Sequence, residues 1–189
     1  RAAAREVRER LDRGALRDAL DDTASATFFG VAPRFEGVDY DWAKTPAFLG
    51  FDAHVEGDFL PPDAAERTFD RLGLTPLNAV EKEVRATDFD PDGYEAPASA
   101  WRDGPAAGVL VRNKTGDRAV RRFDTAGEVA PFGGDAEAAA AEFATRARIE
   151  AAADEVGSDV DAVAERVVET VGRERYAVLF GDDASVDPA

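Results

Sequence analysis

The alternation of hydrophobic and polar positions predicts strands in the first two thirds of the chain. Thr27–Ala32 and Ala47–Val55 are short apolar runs of strand length. Leu77–Arg85 alternates valine and lysine with charged residues, which is typical of a strand with one face in water. Ala106–Phe123 consists of two apolar runs separated by turn residues. This last segment therefore predicts a β-hairpin.

Helical periodicity occurs at both ends of the chain and once between the predicted strands. Pro61 and Pro62 precede the central helix, and Ser158 with Asp161 forms a weak capping box for the last one. The predicted helices cover Arg1 to about Leu20, Asp63–Leu72, Asp135–Val156 and Ser158 to about Val171, while Arg173–Phe180 fits either helix or strand. The pattern predicts an α+β fold, with a mixed, largely antiparallel body over residues 1–130 and a helical tail over residues 131–189.

Composition narrows the class of protein. The 189 residues carry a net charge of −16, and only three of the 23 basic residues are lysine. This is the composition expected of a halophilic protein from a cytoplasm rich in KCl, where surface carboxylates hold water and counter-ions. No apolar run approaches the ~20 residues of a membrane span. The absence of cysteine and the single histidine argue against thiolate catalysis, zinc sites and a histidine-based triad.

The predicted hairpin concentrates positive charge in this acidic chain. Its span contains one acidic residue, Asp117. Its basic residues are Arg112, Lys114, Arg118, Arg121 and Arg122. Such a cluster indicates a site for an anion, and phosphate is the commonest such ligand. The alternative is that the arginines pair with nearby carboxylates of the same chain.

Four segments in order resemble the haloarchaeal branch of ATP-dependent RNA ligases, in the covalent nucleotidyltransferase superfamily. They are FFG-x-A, YDW-x-x-TP-x-FLGFD, VEKEVRA-x-DFDP and DGPA-x-GV-x-VRN-x-TG-x-RA, and they lie within Phe28–Phe123. The resemblance implies an ATP-grasp-like nucleotidyltransferase fold for residues 1–130. It also implies ATP and Mg²⁺ as cofactors, and transfer of AMP through a lysine to RNA ends, a reaction of RNA repair.

The family's nucleophilic lysine lies in a K-x-D-G motif upstream of the FFG segment. This chain has no lysine before Lys44 and no K-x-D-G motif. The chain does not begin with Met, so the motif either lies upstream in a longer protein or has been lost. We therefore assign no catalytic residue and no metal ligand in this chain.

The remaining positions of the family pattern match unevenly. By resemblance, three charged site residues are replaced by Val31, Ala107 and Val120. Other positions of the family pattern are retained. By resemblance, Phe51 is the aromatic residue that stacks on adenine, and the nucleotide-binding face retains Asp52, Gly108, Arg112 and Arg122. Arg118 lies on the same strand face as Arg122. The predicted binding residues are Phe51, Asp52, Gly108, Arg112, Arg118 and Arg122. Alternation alone favours Phe51 as a core residue, and the resemblance makes the core and the adenine-stacking roles comparable. His54 is expected to be a surface or hydrogen-bonded histidine.

Three hypotheses follow, and they leave open whether this chain is an enzyme. The first is a degenerate, inactive ligase-like domain that still binds a nucleotide or an RNA end at the hairpin. The second is the downstream part of an active RNA ligase. The third is a non-catalytic binding or assembly module whose hairpin arginines dock acidic partners, and whose protein partners the sequence does not identify.

Overall fold

The structure is a computed structural model, and it describes residues 1–113 and 116–181. The chain divides into two compact units. The strand unit comprises Ala3–Pro33 and Tyr40–Thr125, and the helical unit comprises Arg1–Ala2, Arg34–Asp39 and the described part of Ala126–Ala189. Helices and small antiparallel sheets occur together, so the predicted α+β class is confirmed. The predicted division after residue 130 stays a prediction.

The first predicted helix is two helices. Helix α1 covers Ala2–Arg10 and helix α2 covers Arg13–Ala19. Asp12 causes the break, because its carboxylate caps α2 by accepting a hydrogen bond from the backbone N–H of Ala15 at 2.9 Å. The prediction of one continuous helix was therefore wrong at this capping residue.

A three-stranded antiparallel sheet forms the centre of the strand unit. Its strands are β1 (Ala26–Val31), β2 (Leu49–Val55) and β3 (Asp58–Phe59), in that order across the sheet. The turn between β2 and β3 is Glu56-Gly57, and both residues have positive φ, 53° and 98°. Two such residues are the requirement of a tight type I′ hairpin turn. The predicted strands at 27–32 and 47–55 are confirmed to within two residues.

The helix predicted at Asp63–Leu72 is α3 (Pro62–Arg71), and it covers one face of this sheet. The ring of Phe69 is fully buried and lies against Gly50 of β2, where a Cβ atom would come within 2.3 Å of the ring. Phe28 of β1 meets the same ring edge-on at 5.9 Å between centroids. The buried apolar residues of this region are Ala47, Leu49, Ala53, Ala65, Phe69, Leu72 and Leu74. The strand unit therefore has its core between α3 and the sheet.

The strand predicted at Leu77–Arg85 does not form, and this segment is irregular. Its apolar residues Val80 and Val84 are 45% and 46% exposed. An alternating pattern makes a strand only where a neighbouring strand pairs with it and a core accepts its apolar face. Lys82 instead forms ion pairs with Asp63 and Glu66 of α3.

The basic segment is the predicted antiparallel hairpin, made of β4 (Gly108–Arg112) and β5 (Arg118–Arg122). It is a separate two-stranded sheet, so the described strands do not form one continuous sheet. Lys114, which the sequence places among the hairpin's cations, lies outside the described residues.

The helical unit contains α4 (Ala136–Phe143), α5 (Arg146–Val156), α6 (Val160–Glu174) and α7 (Tyr176–Phe180). The predicted helix at 135–156 is divided between α4 and α5. Thr145 begins α5, because its hydroxyl accepts a hydrogen bond from the backbone N–H of Arg148.

Two further details correct the predictions for the helical unit. The cap of α6 is Asp159, which accepts from the N–H of Ala162 at 2.9 Å, rather than Ser158. The segment at 173–180 is helical. None of the helices within the described ranges combines the length and the hydropathy that a membrane span requires.

Candidate functional site

The hairpin register places three of its four arginines on one face. Arg112 of β4 lies directly opposite Arg118 of β5. Successive side chains of a strand point to opposite faces, so Val120 and Arg122 share the face of Arg118. The pairing thus gathers three guanidinium groups along one side of a short ribbon.

Strand β2 meets this ribbon at an irregularity. Phe29 pairs with Asp52 and Gly30 pairs with Gly50, so Phe51 has no partner in the register of β1 and β2. Such a bulge leaves backbone groups of the extra residue unpaired and redirects the side chains beside it. The carbonyl of Phe51 accepts a hydrogen bond from Nη1 of Arg112. Arg112 therefore supplies a hydrogen bond to a backbone group that the bulge leaves without a strand partner.

Asp52 binds two of the hairpin arginines, Arg112 and Arg118. Its Oδ1 accepts from Nη1 of Arg112 at 3.3 Å, and its Oδ2 accepts from Nε of Arg118. The residue is 2% exposed. A buried carboxylate is costly unless it is paired and hydrogen-bonded, and here each oxygen has a guanidinium partner. We call Asp52, Arg112 and Arg118 the clasp.

Arg118 is fixed by two further contacts. Its guanidinium carbon lies 3.6 Å from the centroid of the Phe59 ring, and its Nη1 donates to the carbonyl of Gly116. A guanidinium over an aromatic face is attracted by the negative charge density of the ring. Arg118 therefore joins the hairpin to β3 as well as to β2.

The structure brings together Phe51, Asp52, Arg112 and Arg118 of the predicted binding residues. Phe51 is half-buried, and it contacts the clasp through its backbone carbonyl, which accepts the hydrogen bond from Arg112. Arg112 and Arg118 pair with a carboxylate of the same chain, which was the alternative to an anion site for the hairpin arginines.

The other two predicted residues lie at the far end of the hairpin. Gly108 and Arg122 are register partners. A Cβ atom at Gly108 would lie 2.8 Å from the carbonyl oxygen of Arg121, so glycine is needed there for the close approach of the two strands. Arg122 is exposed, and none of the ion pairs within the described ranges involves it. Its guanidinium is available to a ligand.

The three apolar residues that replace charged residues of the family pattern are exposed or half-buried in the structure. Val31 is 41% exposed at the end of β1, and Val120 is 65% exposed between Arg118 and Arg122. Ala107 is half-buried just before β4. None of these three side chains can donate to or accept from a nucleotide.

The two described lysines are poor nucleophiles. The hydrogen bond to Asp41 raises the pKa of Lys44, and the hydrogen bonds to Glu66 and Asp63 raise the pKa of Lys82. A nucleophilic lysine needs a lowered pKa, so that part of it is neutral near pH 7. Both environments act in the opposite direction.

The residues of the clasp do not fit Mg²⁺. Both oxygens of Asp52 are taken by guanidinium groups, which would repel a cation. Within residues 1–113 and 116–181, no three acidic, histidine or cysteine side chains are grouped as a metal site requires. Phosphate oxygens, in contrast, suit the remaining N–H donors of the arginines.

Sequence reasoning missed an aromatic cluster beside the clasp. The ring of Phe59 lies 5.7 Å from that of Phe29 and 5.0 Å from that of His54, measured between centroids. The signal was the pair Glu56-Gly57, since a two-residue turn fixes the pairing of His54 with Phe59. His54 is half-buried and lies edge-on to the Phe59 ring.

Comparison of this chain with protein-family models, with curated protein sequences and with solved structures finds no match in any of the three. The likeness to RNA ligases therefore rests on the four sequence segments, and the function that it implies is a proposal.

Proposed function

We propose that this chain is an RNA ligase-like nucleotidyltransferase domain that has lost catalysis and binds a nucleotide or an RNA end through phosphate. The observation that carries the proposal is the excess of positive charge at the hairpin. Two arginines share one buried carboxylate, and Arg122 stands exposed on the same strand face. In a chain of net charge −16, this local excess selects for an anionic ligand.

The clasp leaves donors for such a ligand. A guanidinium has five N–H donors in a fixed plane. Arg112 commits Nη1, and Arg118 commits Nε and Nη1, to partners within the chain. The side chains of Arg112 and Arg118 remain 20% and 25% exposed. Pairing with Asp52 holds the two groups in place, which reduces the entropy lost on binding phosphate.

The proposed loss of catalysis rests on groups that the resemblance calls for and that this chain does not carry. The K-x-D-G motif is absent, and the pKa values of Lys44 and Lys82 are raised. Apolar side chains stand at Val31 and Val120, where the family carries groups that hold ribose and phosphate. Removing even one such electrostatic contact typically costs two to three orders of magnitude, roughly, in rate.

A second candidate function is supported by the same clasp. If Arg112 and Arg118 serve only to fasten the hairpin to β2, the chain is a binding or assembly module without a nucleotide site. Both oxygens of Asp52 are paired with these two arginines, and this is the observation that favours it. Measurement of nucleotide binding separates the two candidates.

The test is equilibrium dialysis of ATP against the chain in molar KCl, followed by intact mass determination after denaturation. We expect ATP to be retained without a covalent adduct. Arg122→Ala should weaken retention about fivefold, the loss of one exposed charge contact. The control Arg67→Ala removes an exposed arginine of α3, on the opposite face of the sheet, and should have no effect.

Other results would overturn the proposal in different ways. If no ATP is retained, the module without a nucleotide site is the better description. If the chain gains the mass of one AMP, a lysine of this chain is an active nucleophile and catalysis has not been lost.

A further inference from the structure

One face of the three-stranded sheet carries aromatic side chains that α3 does not cover. Phe29 lies opposite Asp52, and His54 lies opposite both Thr27 and Phe59. Directly opposed residues, and residues two apart on a strand, point to the same side. Phe29, His54 and Phe59 therefore share the face of the clasp, whereas α3 packs on the face of Phe28.

The three rings form a continuous cluster. Phe59 is its centre, with Phe29 tilted at 38° beside it and His54 edge-on at 80°. Phe29 is 37% exposed and Phe59 is 42% exposed. Exposed large apolar groups that are contiguous, rather than scattered, are typical of binding surfaces.

Positive charge borders this cluster directly. Arg118 stacks on Phe59, and Arg122 follows two residues later on the same strand face. Aromatic rings next to guanidinium groups are the combination that binds single-stranded nucleic acid. Bases stack on the rings, and the phosphate chain runs along the cations. A double helix keeps its bases stacked inside and would leave the rings unused.

We infer that the face formed by Phe29, His54 and Phe59 is a stacking platform for the unpaired bases of a single-stranded nucleic acid, whose phosphates bind the hairpin arginines. The inference rests on the proposed function, because the phosphate site at the hairpin sets where the strand lies. It adds that the ligand is a polynucleotide strand rather than a mononucleotide alone.

Salt dependence follows from this division of roles. Molar KCl screens contacts between exposed cations and phosphates strongly, because the Debye length falls to about 3 Å at 1 M. Base–aromatic stacking is sequence-tolerant and does not depend on counter-ion release. The stacking platform should therefore provide the larger share of the affinity in concentrated KCl.

The test is fluorescence anisotropy with a 5′-phosphorylated single-stranded oligouridylate of about ten nucleotides, labelled at its 3′ end. Phe29→Leu keeps the apolar surface but removes the ring, and should weaken binding about 5- to 150-fold. Phe29→Trp keeps a stacking ring and should retain the affinity. Val84→Ala, at another exposed apolar residue of the strand unit, is the matched control.

The outcomes separate this inference from the proposed function. If Phe29→Leu binds the strand as tightly as the unsubstituted chain while ATP is still retained, the platform is refuted and the phosphate site stands. If neither the strand nor ATP binds, both are refuted. Equal affinity for a duplex of the same length, or a dimer in sedimentation that Phe29→Leu converts to a monomer, would also overturn the platform.

Discussion

Arg118 lies face-on over Phe59, with its guanidinium carbon 3.6 Å from the ring centroid. The same side chain donates to the buried carboxylate of Asp52. One arginine thus connects the two parts of the candidate site, the clasp and the aromatic face. A ligand that contacts both parts would meet a surface whose geometry is already fixed.

Replacing Asp52 with asparagine should destabilise the strand unit. The amide keeps the size of the carboxylate but brings N–H donors against two guanidinium groups that lose their counter-charge. We expect a loss of about 2–4 kcal/mol, at or below the usual cost of breaking a buried ion pair, because both arginines are partly exposed. Chemical denaturation in KCl measures it. Asp58→Asn, at an exposed carboxylate of β3, is the control, and equal stabilities of the two variants would show that the clasp is not stabilising.

Gly50→Ala should disrupt the packing of α3 on the sheet. The added Cβ atom would lie 2.3 Å from the Phe69 ring, so the helix or the ring must move. Overpacking of this kind costs about 1–3 kcal/mol. The same change at Gly133 meets nothing within 4 Å and should leave the melting temperature nearly unchanged. A Gly50→Ala variant that melts with the unsubstituted chain would contradict the described packing.

Glu6 should stabilise the chain more than its neighbour on the same helix. Its carboxylate, 13% exposed, accepts from the backbone N–H groups of Ala47 and Phe48 just before β2. Glu6→Ala leaves both donors without this acceptor, at a cost of about 1–3 kcal/mol. Glu9→Ala removes a side chain that is 55% exposed and should cost much less. Comparison of their unfolding midpoints decides the point.

Lys82 should titrate above the ordinary lysine pKa of about 10.4. Its hydrogen bonds to Glu66 and Asp63 favour the charged form and raise its pKa. The stabilisation from this pairing is complete below the unfolded-state pKa and is lost as the pH rises through the folded-state value. NMR of the dimethylated lysines follows the titration, and Glu66→Gln should lower the pKa of Lys82 but not that of Lys44. Unchanged titration of Lys82 in that variant would refute the pairing.

Much of the fold could be predicted where local chemistry decides the structure. The apolar runs of β1 and β2, the proline start of α3 and the two short runs of the basic hairpin all specify their elements locally. The segment at Leu77–Arg85 has an equally regular pattern. Among the described residues its backbone bonds to a strand only at its start, where the N–H of Leu77 donates to the carbonyl of Gly50 in β2. The pattern alone does not supply a strand partner for the rest. The helix breaks at Asp12 and Thr145 depend on single side-chain caps within otherwise helical sequence.

The candidate site could be predicted only in its parts. The family resemblance pointed to Asp52, and the charge pattern pointed to the hairpin arginines. Neither predicted their contact, because it requires a bulge in β2 where Phe51 loses its register partner. The aromatic face was missed for a related reason. Phe29 and Phe59 are far apart in sequence, and only the pairing of three strands brings them to one side of the sheet.

The phosphate site at the hairpin is tested most directly by comparing the affinity of the chain for two RNA strands of one sequence, one with a 5′-phosphate and one with a 5′-hydroxyl. If the hairpin arginines bind phosphate, the 5′-phosphorylated strand binds more tightly, and Arg122→Ala removes most of that preference while Arg67→Ala keeps it. Equal affinities for the two strands, or a preference that survives in Arg122→Ala, would contradict the assignment of the hairpin as a phosphate site.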